Sequence, residues 1–98
     1  MNDESRYGGG WAPITWTERS EDHIARHGVR PDEVEEAIYG RPRWVTRGKG
    51  GTTLVYARTL AGRYLLVVVA PASDGGIQVV TARDLTNTER STFRRKGR

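Results

Sequence analysis

Between Arg43 and Arg83 the chain consists of four β-rich runs, Arg43–Arg47, Thr52–Thr59, Tyr64–Ala70 and Ile77–Arg83. They are separated only by Gly48-Lys49-Gly50-Gly51, by Leu60-Ala61-Gly62 and by Pro71 to Gly76. Such short spacers cannot hold the crossover helix that parallel strands require, so the runs pair as an antiparallel meander. Tyr64-Leu65-Leu66-Val67-Val68-Val69-Ala70 lacks apolar–polar alternation and reads as the central strand. The Gly48–Gly51 stretch is a tight turn. It lacks the eight-residue phosphate-loop pattern, which argues against nucleotide binding there.

Helical signals flank this meander. Ile14-Thr15-Trp16 reads as a short edge strand, after which Thr17 or Ser20 caps a helix running to His27, with Gly28 as a left-handed stop. In the second helix Pro31 suits the first position, Asp32 and Glu33 complement the dipole, and Val29 with Val34 has staple spacing. Val34, Ala37 and Ile38 share one face, and Gly40 with Pro42 closes the helix. Thr86-Asn87-Thr88-Glu89 is a capping box that opens a basic helix to about Lys96. The expected fold is therefore α+β: two N-terminal helices, a four-stranded antiparallel meander and a C-terminal helix, with the helices on one side of the sheet.

A chain of 98 residues forms one domain, here 14–98, after a polar, glycine-rich stretch at 1–13 that reads as a disordered leader. With no cysteine, disulfides, thiolate metal sites and a cysteine nucleophile are excluded. The longest apolar run is the seven residues from Tyr64 to Ala70, far below the roughly 20 of a membrane span. No signal-peptide pattern follows Asp3 and Glu4, so no membrane association and a cytoplasmic location are expected.

Charge is segregated along the chain. Residues 1–39 hold nine acids and four arginines, whereas 40–98 hold twelve basic groups and three acids. Fourteen of the sixteen basic residues are arginine, whose planar fork suits phosphate and stacks on bases. Arg58 and Arg63 flank one hairpin loop, Arg83 ends the last strand, and Arg90 and Arg94 lie one turn apart on the last helix beside Arg95. Together they suggest an RNA or phosphate site; a solvated basic helix is the simpler alternative. Tyr56, with Tyr64, Trp44 and Trp16, either stacks on bases or fills the core. His23 and His27 have zinc-ligand spacing, but position 24 is Ile and the sequence has no third His, so no metal site is expected. His27 is either a helix-end capping residue or a proton-transfer group, roles that do not exclude each other. Asp32-Glu33-Val34-Glu35-Glu36 reads as a solvated acidic face or a contact for a basic partner.

Trp16 near the first strand, His27-Gly28-Val29 at the first helix end, Glu36-Ala37 in the acidic helix, and Thr81-Ala82-Arg83 followed by Thr88 and Glu89-Arg90 make an ordered set. In that order and spacing they resemble the BrnT family of type II toxins, over about residues 14 to 95. The resemblance implies a RelE-like fold and a small endoribonuclease working without metal or other cofactor. It also implies a partner antitoxin that neutralises the toxin and binds operator DNA, and it leaves homo-oligomerisation open. His27 falls on the family's helix-end histidine, Arg83 on the arginine ending the last strand, and Arg90 on the basic position after the capping glutamate. The chemistry so implied is attack of an RNA 2′-hydroxyl on the adjacent phosphate, with His27 or Glu89 accepting the proton and Arg58, Arg63 and Arg83 stabilising the developing charge. Arg90, Arg94, Arg95 and Tyr56 would bind the RNA. The competing readings are an RNA-binding module without catalysis and a protein-interaction domain.

Overall fold

A computed structural model describes residues 13–98; the expected leader, apart from Pro13, lies outside them. The elements run α1 (Glu18–Ala25), α2 (Pro31–Tyr39), β1 (Arg43–Arg47), β2 (Thr53–Arg58), β3 (Tyr64–Pro71), β4 (Ile77–Asp84) and α3 (Asn87–Lys96). The four strands form one antiparallel sheet in the order β1-β2-β3-β4. The fold is thus the expected α+β arrangement of two helices, a meander and a closing helix.

Local chemistry fixes each helix. Thr17 and Ser20 form a reciprocal capping box at the start of α1, the Thr17 hydroxyl accepting from the Ser20 backbone N–H. The helix stops at Ala25, two residues before His27, and the chain turns through Gly28, whose φ of 70° is the left-handed geometry that glycine adopts without strain. Arg30 precedes Pro31 at the start of α2, where the Glu33 carboxylate accepts from the Arg30 backbone N–H. Thr86 and Glu89 form a second reciprocal box that opens α3.

The expected N-terminal edge strand is reduced to a single bridge. Ile14 pairs in parallel with Ile77, Thr15 N–H donating to the Ile77 carbonyl and Ile77 N–H to that of Pro13, before the chain leaves for α1.

The helices do not lie on one side. Strand side chains alternate between faces. Val55, Ala57, Leu65, Val67 and Val69 point to one face, where they meet Ile24, Val34, Ala37 and Ile38 of α1 and α2. Tyr64, Leu66 and Val68 point to the other, where Leu66 joins Leu85 and Phe93 under α3. That is why β3 lacks alternation: Leu65, Leu66, Val67 and Val69 are all buried, as a strand covered on both faces requires. A bulge opposite Val68 and Val69 leaves Val80 unpaired and turns both Val79 and Ala82 toward the first core.

Candidate nucleic-acid interface

The β2–β3 hairpin sets Arg58 directly opposite Tyr64, on the face that α3 covers. The adjoining row of that face reads Trp44, Tyr56, Leu66 and Arg83 across β1 to β4. Phe93, the one fully buried side chain of α3, anchors the helix here and meets Tyr64 edge-on, with ring centroids 5.9 Å apart. Arg90 and Arg94, one turn apart on α3, are thereby carried over the same ring.

Three guanidinium groups converge on Tyr64. Their central carbons lie 4.4 Å (Arg90), 5.5 Å (Arg58) and 5.7 Å (Arg94) from the ring centroid, within cation–π range. Among the described residues none of the three forms an ion pair with a carboxylate. The Arg90 Nε is buried without a hydrogen-bond partner. Hydrogen bonding from Arg94 and Arg58 holds the Tyr64 phenol below its ordinary pKa. A cleft of ≈ 170 Å³ opens at this point, lined by Pro42, Arg58, Tyr64, Phe93, Arg94 and Gly97. Concentrated positive charge around an aromatic ring and an open cleft form a seat for an anion.

Arg83 and Glu89 behave differently. The Arg83 Nη1 and Nη2 donate to the two Glu89 carboxylate oxygens at 2.8 and 2.9 Å, and Nη1 also donates to the Asp84 carbonyl at 3.0 Å. Glu89 accepts in addition from the Thr86 backbone N–H. The Arg83 pairing is the main cause that pulls the Glu89 carboxyl from 4.5 down to about 2, against the opposing effect of desolvation. A carboxylate so stabilised is a weak proton acceptor near neutral pH; its geometry orients Arg83 and starts α3. Tyr56 stands in the same row, stacked on Trp44 with centroids 4.7 Å apart and planes inclined by 32°. Lys96 sits 5.8 Å from the Trp44 ring, and Arg95 is exposed.

Arg63 is on the opposite face and has no donor to spare. Nε donates to Asp84 Oδ1 at 2.7 Å, Nη1 to the Gly28 carbonyl at 2.9 Å and to Glu33 Oε1 at 3.1 Å, and Nη2 to the His27 carbonyl and Asp84 Oδ2, both at 3.3 Å. All five N–H groups are therefore occupied, and the side chain pins the α1–α2 turn to the end of β4. His27 belongs to this group through its backbone; its side chain is exposed. The sequence-predicted catalytic set thus divides into Arg58, Arg83 and Glu89 under α3, and His27 and Arg63 beside α1 and α2.

The acidic run is not simply a solvated face. Asp32 pairs with Arg30, Glu33 with Arg63, Glu35 accepts from the Trp16 indole at 2.8 Å, and Glu36 from the Leu60 backbone N–H at 3.2 Å. His23 lines a separate groove between α1 and β4 with Arg19, Gln78 and Val80. Among the described residues no group of three or more His, Cys, Asp or Glu side chains is placed to hold a metal ion, and no helix is long and apolar enough to cross a membrane.

Tyr64, at the centre of the arginine cluster, was expected only among the aromatics that stack on bases or fill the core, and not in the catalytic set. Its signal was the hairpin itself: pairing the strands about Leu60-Ala61-Gly62 sets it against Arg58. Set against family models, curated proteins and solved structures, the chain finds no match.

Proposed function

We propose that this protein binds RNA across the α3 face and cleaves it there, as a toxin-like endoribonuclease restrained by a small partner protein. The observation that carries the reading is the convergence of Arg58, Arg90 and Arg94 on Tyr64 without a neutralising carboxylate among the described residues. Positive charge left unpaired by the fold is what a phosphodiester neutralises, and arginine binds phosphate oxygens with paired donors.

In the proposed reaction the RNA 2′-oxygen attacks the adjacent phosphorus and loses its proton to the phenolate form of Tyr64, the form that the Arg94 and Arg58 guanidinium groups favour. The bond from phosphorus to the 5′-oxygen breaks, and that oxygen takes a proton from water. A 2′,3′-cyclic phosphate and a 5′-hydroxyl end result. The arginines stabilise charge developing on the phosphoryl oxygens. Tyr64 is preferred to Glu89, which Arg83 holds ionised to about pH 2, and to His27, which lies with Arg63 on the other face.

The test is incubation of a fluorescent single-stranded RNA with the protein in EDTA, with binding followed in parallel. Cleavage to cyclic-phosphate ends, lost in Tyr64→Phe while binding persists, is the expected result. Salt-dependent binding without cleavage would instead make this an RNA-binding module. Absence of RNA binding, with a small protein co-purifying, would favour an interaction domain.

A further inference from the structure

Arg83 differs from the cluster around Tyr64 in the form of recognition it offers. Glu89 occupies the end-on pair of Arg83 donors and Asp84 the inner Nη1–H, which leaves Nε–H and the second Nη2–H without a protein acceptor among the described residues. These two donors are adjacent and parallel, and the side chain retains 37% of its exposure. The carboxylate 2.8 Å behind the guanidinium cancels its charge. A phosphate brought to this fork would gain two hydrogen bonds but meet the repulsion of Glu89. A neutral group with two adjacent acceptors meets no such penalty. Guanine presents that pair, O6 and N7, on one edge, whereas adenine offers N7 beside a donor.

The neighbouring ring completes the site. Tyr56 lies on the same row of the sheet, two strands from Arg83 with Leu66 between them, a separation of about 10 Å. Tyr56 is partly buried against the Leu66, Leu85 and Phe93 cluster, keeps some exposure and is backed by Trp44. A base stacked over Tyr56 would turn its edge toward the Arg83 fork, while its phosphates fall toward Arg58, two residues along β2 on the same face.

We infer that Tyr56 and Arg83 form a guanine-reading subsite beside the phosphate-binding arginines, with Glu89 as the positioning residue that fixes the Arg83 fork. This rests on the RNA reading above and deepens it. Charge recognition is assigned to the unpaired arginines and base recognition to the paired one.

The experiment measures affinity of the wild-type protein, by fluorescence anisotropy, for oligouridine RNAs carrying one central guanosine, adenosine or 7-deazaguanosine. Guanosine should bind about tenfold more tightly than adenosine, the order expected of one bidentate contact. The 7-deaza analogue, which lacks the N7 acceptor, should lose most of that gain. Arg83→Lys keeps the charge but not the fork, and should abolish the preference, bringing guanosine and adenosine RNAs to equal affinity. Glu89→Gln should weaken the preference in the same direction. Equal binding of all three RNAs, or a guanosine preference that survives both the 7-deaza substitution and Arg83→Lys, overturns the subsite and leaves the RNA reading standing. Failure of every RNA to bind in a salt-dependent way defeats the RNA reading, and the subsite with it.

Discussion

Arg63 and the arginine cluster around Tyr64 lie on opposite faces of the sheet and in opposite circumstances. Beside α1 and α2, Arg63 gives every donor to Glu33, Asp84 and two carbonyls. Under α3, Arg58, Arg90 and Arg94 crowd one tyrosine with no carboxylate among the described residues paired to them. The first arrangement satisfies the fold and has nothing left to offer a ligand. The second leaves the fold electrostatically incomplete, which is the condition in which a surface gains by binding an anion. An arginine's meaning is therefore set by its partners, and Arg58 and Arg63, five residues apart on one hairpin, take opposite roles because they point to opposite faces.

The sharpest way to break this comparison is Arg63→Ala. It should cost about 3 kcal/mol of stability, since Glu33 and Asp84 lose their shared cation and two carbonyls lose their donor. Urea denaturation would measure the loss, and RNA affinity of the remaining folded protein should not change. An unaltered midpoint would mean that Arg63 is not the pin described.

Glu89→Gln should cost less, about 2 kcal/mol at pH 7, because the charge that pairs with Arg83 is removed while the amide oxygen still accepts from the Thr86 N–H. The pH dependence has a definite sign. Glu89 has a lower pKa folded than unfolded, so its stabilisation is complete above about 4.5 and is lost as the pH falls toward 2. Unfolding of wild type and variant should accordingly converge at the acid end. A difference that persists undiminished at pH 2 would deny the Arg83 pairing its place in stability.

A smaller effect is expected at the acidic helix. Trp16→Phe removes the indole donor to Glu35 but keeps most of the ring, and should cost about 1 kcal/mol in thermal or urea unfolding. Smallest of all is Arg94→Ala, which should leave stability unchanged within about 0.5 kcal/mol, since no ion pair among the described residues holds this exposed side chain.

Much of the fold was legible because its signals are local. Both capping boxes, Pro31, the Gly28 stop and the spacing of the four β runs act within a few residues. What escaped was non-local. Whether α3 shares a face with α1 and α2 depends on how the chain leaves β4, which no periodicity within α3 encodes; the unbroken apolar run of β3 was the trace of a second covering layer. The roles of Glu33, Glu35 and Glu36 were hidden likewise, because their partners Arg63, Trp16 and Leu60 lie 19 to 30 residues away. In the candidate site the arginines were identifiable by type, but which were free and which were spent required the pairing to be seen.

The salt dependence of RNA binding tests the central distinction most directly. Removing one arginine–phosphate interaction should lower the slope of log affinity against log salt by about 0.7 for single-stranded RNA. Arg58→Ala with Arg94→Ala should therefore reduce the slope by about 1.4, while Arg30→Ala, which removes an arginine already paired with Asp32, should leave the wild-type slope in place. Equal slopes in all three proteins, or a reduction in Arg30→Ala as large as in the double variant, would contradict the division between paired and unpaired arginines.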